Sequence, residues 1–198
     1  RRQPFDKWRC RPTVFGEHVC VDHVILSRLS SRGMNGERAV LFIMDMYTRI
    51  ADFVPVSDKT AEEAIRAIKY FLGDTPAGTI YSDHSTEWIA AVKSTDAIHQ
   101  TATPHRPQTN AFAERGIRTM LEGARAALLQ AGMPHRYWPM AVRHHALASA
   151  ISEQTNGDPS PWFLMHGEQF EGWALPFGSL IHFRPPHPRE HLDKFAPR

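Results

Sequence analysis

The sequence predicts an α/β fold, and three features carry the prediction. Short runs rich in β-branched residues alternate with segments whose apolar residues recur at helical spacing. Gly, Pro, Asn and Asp clusters punctuate the junctions between them. The resulting order is three strands, a helix, a strand, a helix, a strand and two helices.

Residues 1–15 show no period and read as a basic linker. Residues 17–26, which include Val19, Val21, Val24 and Ile25, predict a first strand. Residues 27–37 form a loop with Gly33, Asn35 and Gly36 as turn formers. Residues 38–46 are a near-continuous apolar run, as expected of a strand buried on both faces. After a turn at Tyr47 and Thr48, residues 49–56 return as a third strand. Thr60 with Glu63 makes a capping box for a helix whose stripe is Ala64, Ile65, Ile68, Phe71 and Leu72, and Gly73 and Pro76 end it. Residues 79–83 predict a fourth strand, 85–92 a brief helix and 98–103 a fifth strand. A proline-punctuated loop then gives way to a long helix, which Thr109 or Asn110 can cap. Ile117, Leu121, Ala124 and Leu128 make its expected buried stripe, with Glu114 on the flank in line with Arg118 and Arg125. A last helix spans 137–151, with Trp138, Ala141, Val142, His145 and Ala148 on one side.

The domain organisation follows: a linker over 1–15, a core over 16–152, and an extension over 153–198. Seven of the fifteen prolines and many aromatic residues fall in that extension, so it is expected to pack short elements on the core. A hydrophobic content of 42% with 22% charged residues excludes a disordered chain. No apolar run approaches the ~18 residues of a membrane span. The opening Arg1-Arg2-Gln3-Pro4 is no secretory leader and reads as cut from a longer polypeptide. Two cysteines are too few for a disulfide framework, which makes a reducing, intracellular setting the expectation.

Charge is segregated along the chain. Residues 1–15 hold five Lys/Arg against one acid, and residues 16–103 hold eight against twelve. Residues 104–145 reverse the balance, with six arginines against two glutamates. Acidic residues between two basic segments fit a site where carboxylates hold metal and arginines meet phosphate, and a solvated helix face gives the same count. Asp22 interrupts an apolar strand, where a charge is costly unless paired or metal-bound. Asp83 closes the fourth strand, where ligands of open α/β sheets collect. If the first and fourth strands are neighbours, these aspartates face each other across a spacing of about 4.8 Å. Glu114, in the first turn of the long helix, fits either a third ligand or an ordinary helix N-terminal charge.

Several motifs in order resemble the retroviral-type integrase catalytic core. They are Asp22, Met44-Asp45-Met46-Tyr47-Thr48-Arg49, Tyr81-Ser82-Asp83-His84-Ser85-Thr86-Glu87-Trp88, and Pro107-Gln108-Thr109-Asn110-Ala111-Phe112-Ala113-Glu114-Arg115. Residues 131–138, 159–167, 177–179 and 193–198 are similar specifically to copia-class retrotransposon integrases, which are segments of a Pol polyprotein. The resemblance covers roughly residues 16–198 and implies a ribonuclease-H-like five-stranded mixed sheet of order 3-2-1-4-5 flanked by helices. It implies a polynucleotidyl transferase that trims the 3′ ends of element DNA and joins them to target DNA. Asp22, Asp83 and Glu114 are then catalytic residues and ligands for two Mg²⁺ or Mn²⁺ ions. Arg106, Gln108, Asn110, Arg115, Arg118 and Arg125 are the candidate DNA contacts, with His84 beside the site. Double-stranded DNA, a homo-oligomer and a nuclear destination reached from a cytoplasmic virus-like particle complete the implication. Asp45 is taken as a structural acid with Arg49 as its partner.

Departures from the family pattern keep two other readings open. His84-Ser85 stands where the family has Asn-Gly, Ala111 where it has Gly, and thirty residues separate Asp83 from Glu114 where about thirty-five are usual. A decayed or domesticated DNA- or protein-binding module fits these changes, and a metal-dependent nuclease of the same fold fits the acids. No zinc is expected, since the twelve histidines show no finger spacing with Cys10 and Cys20. Trp138 is assigned to packing ahead of base stacking. Gly116 and Gly123 allow close approach of a strand or of DNA, which the sequence leaves open.

Overall fold

The computed structural model describes residues 12–26, 31–101, 111–152 and 158–182, with the backbone alone at 111 and 112. Strands β1 (His18–Ile25), β2 (Ala39–Asp45) and β3 (Ala51–Val56) lead into α1 (Ala61–Leu72), β4 (Thr79–Ser82), α2 (Thr86–Lys93) and β5 (Ile98–Thr101). Helices α3 (Ala111–Gln130), α4 (Trp138–Ile151) and α5 (Pro161–His166) follow, with a 3-10 turn at His135–Tyr137. The sheet is mixed, in the order β3-β2-β1-β4-β5. β1 runs antiparallel to β2 and parallel to β4.

Strand alternation builds the two faces of the sheet. Val19, Val21, Leu41 and Ile43 point to a core shared with α1 and α2, including Ala64, Ile68 and Trp88. Cys20, Val40, Phe42 and Met44 point the other way, to a core shared with α3 and α4. All seven residues of β2 are buried, as its unbroken apolar run requires. Pro55, which has no N–H to give a ladder, sits on the edge strand β3. The Thr60 hydroxyl caps α1 by accepting from the Glu63 amide at 3.3 Å, and Gly73 ends the helix at φ 57°. The expected caps of α3, Thr109 and Asn110, lie outside the described residues.

The buried stripe of α3 differs from the expected one. Ala113, Met120, Ala124 and Leu128 are its buried residues, while Ile117 and Leu121 flank them. The stripe is turned because Gly116 comes down on the Phe42 ring. A Cβ at Gly116 would stand 2.6 Å from that ring, and one at Gly123 would overlap His145 of α4. The two glycines admit a strand side chain and a helix side chain, not DNA. On α4 the buried residues are Trp138, Pro139, Ala141, Val142, Ala146 and Ala150, with His145 only partly covered. Trp138 is a core residue whose indole N–H donates to the Ser31 carbonyl at 2.9 Å.

The extension is described to residue 182. Ser160 caps α5, the Trp162 ring packs on His166 and meets Phe170 edge-on, and Phe177 reaches the α3–α4 core. The expectation that its large apolar groups are buried is corrected at Trp173 (89% exposed), Leu180 and Ile181. No helix among the described residues is long and apolar enough to cross a membrane.

Candidate active site

β1 carries Asp22, and its parallel neighbour β4 ends one residue before Asp83. In that pairing His18 lies against Thr79, Val19 against Ile80 and Cys20 against Tyr81. Cys20 and Tyr81 both contact the α3–α4 core, so period-2 alternation along β1 turns Asp22 toward that face, while Asp83 follows the last strand residue of β4. Helix α3 crosses that face. The Cys20 thiol lies within hydrogen-bonding reach of the Ala113 backbone, and burial followed by the Asp22 carboxylate pushes that thiol up to about 12. Cys20 thus links the strand carrying Asp22 to the turn of α3 carrying Glu114. Glu114 itself is exposed at the rim.

Local hydrogen bonds fix the loop after β4. Asp83 Oδ1 accepts from the Ser85 amide at 3.0 Å, a side-chain-closed turn. Ser82 Oγ donates to the Asp83 carbonyl at 2.7 Å and lies 2.8 Å from His99 Nε2. His84 Nε2 is 3.2 Å from the Thr101 hydroxyl. Burial, and then the neighbouring His84, hold His99 below its ordinary value and favour its neutral form. Asp22 Oδ1 accepts from the His23 amide at 2.7 Å. The His23 ring stacks on Trp88 with centroids 4.4 Å apart, on the opposite face from Asp22. Burial first and Lys59 next drive His23 down to about 4, against the pull of Asp83 and Glu87.

Asp45 is a structural acid, as predicted. It is fully buried, Oδ1 accepts from the Gly16 amide at 3.0 Å, and Oδ2 accepts from Tyr47 N, Thr48 N and Thr48 Oγ1 at 3.1, 2.7 and 2.8 Å. Those donors, more than the expected Arg49, form its shell. Arg49 feels the Asp45 charge, but burial and then Arg115 hold its guanidinium below the ordinary value.

The remaining candidates divide cleanly. Arg115, Arg118 and Arg125 are exposed on α3, on the same helix as Glu114. Arg106, Gln108 and Asn110 lie outside the described residues. His84 is exposed beside Asp83. The structure therefore places Asp22 on β1 and Asp83 just past its neighbour β4, with α3 packed against β1. Among the described residues no group of three His, Cys, Asp or Glu side chains is gathered closely enough to hold a metal ion. Carboxylate oxygens are hard donors that match Mg²⁺ or Mn²⁺ better than zinc, so the donor chemistry fits the expected ions. The sequence missed His23, His99 and Thr101. For His23 the available signal was its position, one residue past Asp22 and so on the other face of β1.

A sheet of this order, flanked by helices on both faces, defines the ribonuclease-H-like class to which integrase catalytic cores conform. A chain of the simian T-cell lymphotropic virus intasome, solved with the PP2A regulatory subunit B56 gamma, superposes with a TM-score of 0.62 at 16% identity over 90% of this chain and 61% of that one. The HTLV-2 integrase catalytic core domain, solved with magnesium in a trimeric form, gives 0.58 at 15% identity over 79% of this chain and all of the other. The fold is that of the retroviral integrase core. In sequence the chain is similar to the retrovirus-related Pol polyproteins from transposons RE1 and RE2 of Arabidopsis thaliana, at 32% and 28% identity over 111 residues. Each match takes in 52% of this chain and 8% of the polyprotein. No family model matches the sequence.

Proposed function

We propose that the chain is the catalytic core of a copia-class retrotransposon integrase, which processes element DNA 3′ ends and transfers them into target DNA. The observation that supports the reading is the parallel pairing of β1, which carries Asp22, with β4, which ends one residue before Asp83. Two divalent ions, Mg²⁺ or Mn²⁺, would supply Lewis-acid stabilisation of the attacking and leaving oxygens. Asp22 and Asp83 would hold one ion, and one of them with Glu114 would hold the other. Three carboxylates brought together repel one another, so affinity for the ions is weak until substrate phosphate joins the shell. Arg115, Arg118 and Arg125, joined by Arg106, Gln108 and Asn110, meet the DNA backbone, and His84 flanks the ligand pair. Binding is then salt-dependent and nearly indifferent to target sequence. A homo-oligomer acting on double-stranded DNA in the nucleus, with residues 153–198 as an extension of the core, completes the proposal.

A second reading, a binding module descended from such an enzyme, is favoured by one observation: the three acids are not gathered into one cluster. A duplex labelled at the 5′ end of the strand whose 3′ end is processed, incubated with the protein and Mn²⁺, separates the readings. Joined products that vanish in Asp83→Asn support the integrase. Cleavage without joining indicates a nuclease of the same fold. DNA binding without either product, unaltered by Asp83→Asn, leaves the binding module.

A further inference from the structure

Behind the aspartate pair, on the α1–α2 face of the sheet, lies a second group of polar atoms that the proposed chemistry does not use. Both ring nitrogens of His23, the hydroxyl of Ser85 and the indole N–H of Trp88 are buried without a hydrogen-bond partner among the described residues. Trp88 is 0% exposed and packs on the His23 ring at 4.4 Å. Ser85 stands at the N-cap of α2, yet its hydroxyl makes no capping bond to the helix. The Lys59–Glu87 ion pair, at 3.5 Å, belongs to the same neighbourhood, since both charges act on His23.

Buried polar groups are satisfied by protein or by ordered water with few exceptions. A neutral imidazole always presents one N–H and one lone pair, whichever tautomer it adopts. The group therefore offers an indole donor, an imidazole donor, an imidazole acceptor and a hydroxyl. One water molecule, with two donors and two acceptors, matches that set, and a buried water typically makes about three such bonds. We propose that His23, Ser85 and Trp88 line an internal hydration site behind Asp22 and Asp83, and that His23 is a positioning residue which, through the bound water, fixes the turn carrying Asp83. The link to that turn runs through Ser85, whose amide donates to Asp83 Oδ1 at 3.0 Å and whose hydroxyl is one of the buried groups without a partner among the described residues. The inference deepens the proposed function, because it assigns the support of one of its ligands.

The test uses the whole 198-residue chain, isotope-labelled, without DNA or metal. The Trp88 indole proton is expected to show a nuclear Overhauser contact to a long-lived water. His23→Phe keeps the ring stack and removes both nitrogens. It is expected to abolish that contact and to speed hydrogen exchange of the Ser85 amide by about tenfold, as loss of one buried hydrogen bond implies. His23→Gln, which restores polar atoms without the ring, is expected to recover slow exchange. Ser85→Ala serves if His23→Phe does not fold, and should shorten the lifetime of the same water. A wild-type indole proton with no water contact overturns the proposal, as does unchanged exchange in the Phe variant. Failure of DNA joining leaves these readouts intact, so the two readings fall separately.

Discussion

Two aspartates on neighbouring strands, Asp45 and Asp22, show how one sheet treats a carboxylate in two ways. Asp45 closes β2 beside the first residues of β1, across from Val19, where four donors from the Gly16, Tyr47 and Thr48 groups surround it and no solvent reaches it. Asp22 stands three residues further along β1, half-buried, on the strand that pairs with β4 and below a helix whose exposed side carries arginines. The first acid is consumed by the fold, its lone pairs spent on local main chain. The second is only half-buried, and its Oδ1 accepts from the His23 amide. Position on the strand says little about which is which; the ring of donors decides.

The largest effect expected on stability falls on the Asp45 side. Asp45→Ala strands the Gly16, Tyr47 and Thr48 amides and the Thr48 hydroxyl, and chemical denaturation should register a loss of roughly 3 kcal/mol or more. Gly116→Ala drives a methyl into the Phe42 ring beneath α3 and should cost about 1–3 kcal/mol, despite a better helix former. A neutral or stabilising Gly116→Ala would mean that α3 stands farther from β2, and hence farther from Asp22. Acid should weaken the protein more gently. Burial, and then His144, hold His145 below its ordinary value of 6.5, so the unfolded chain binds a proton that the folded chain refuses. Stability contributed by His145 is therefore present above pH 6.5 and is lost as pH falls below it. Thermal midpoints at neutral and mildly acidic pH should converge less in wild type than in His145→Gln. The smallest stability effect belongs to Asp83→Asn, within about 0.5 kcal/mol, because the amide oxygen still accepts from Ser85. That variant nevertheless removes DNA joining if the proposed function is right, which makes it the sharpest contrast to Asp45→Ala.

Much of this layout was legible in the sequence. Asp22 and Asp83 stood out because a charge inside an apolar strand and a charge at a strand end each require a reason, and the expected pairing of their two strands is present and parallel. The fully buried β2 and the cap at Thr60 followed from apolar continuity and side-chain chemistry. On α3, Ala124 and Leu128 are buried as expected while Ile117 and Leu121 only flank the core, because Gly116 settles against Phe42 and no periodicity encodes which side chain a glycine admits. Exposure of Trp173 could not be read either, since apolar composition sets a demand for burial without naming the surface that meets it. His23 escaped notice because its meaning lies in the packing of Trp88 and in the polar atoms left around it, both tertiary facts.

The two-carboxylate comparison has one direct measurement. Titrating Mn²⁺ into the isotope-labelled protein should broaden the backbone resonances of Asp22, Asp83 and Ser85 at concentrations that leave Asp45, Tyr47 and Thr48 sharp, with the broadening lost in Asp83→Asn. Equal broadening around Asp45, or none at Asp22 and Asp83 even with DNA ends present, would contradict the assignment of a metal site to the end of β1 and β4.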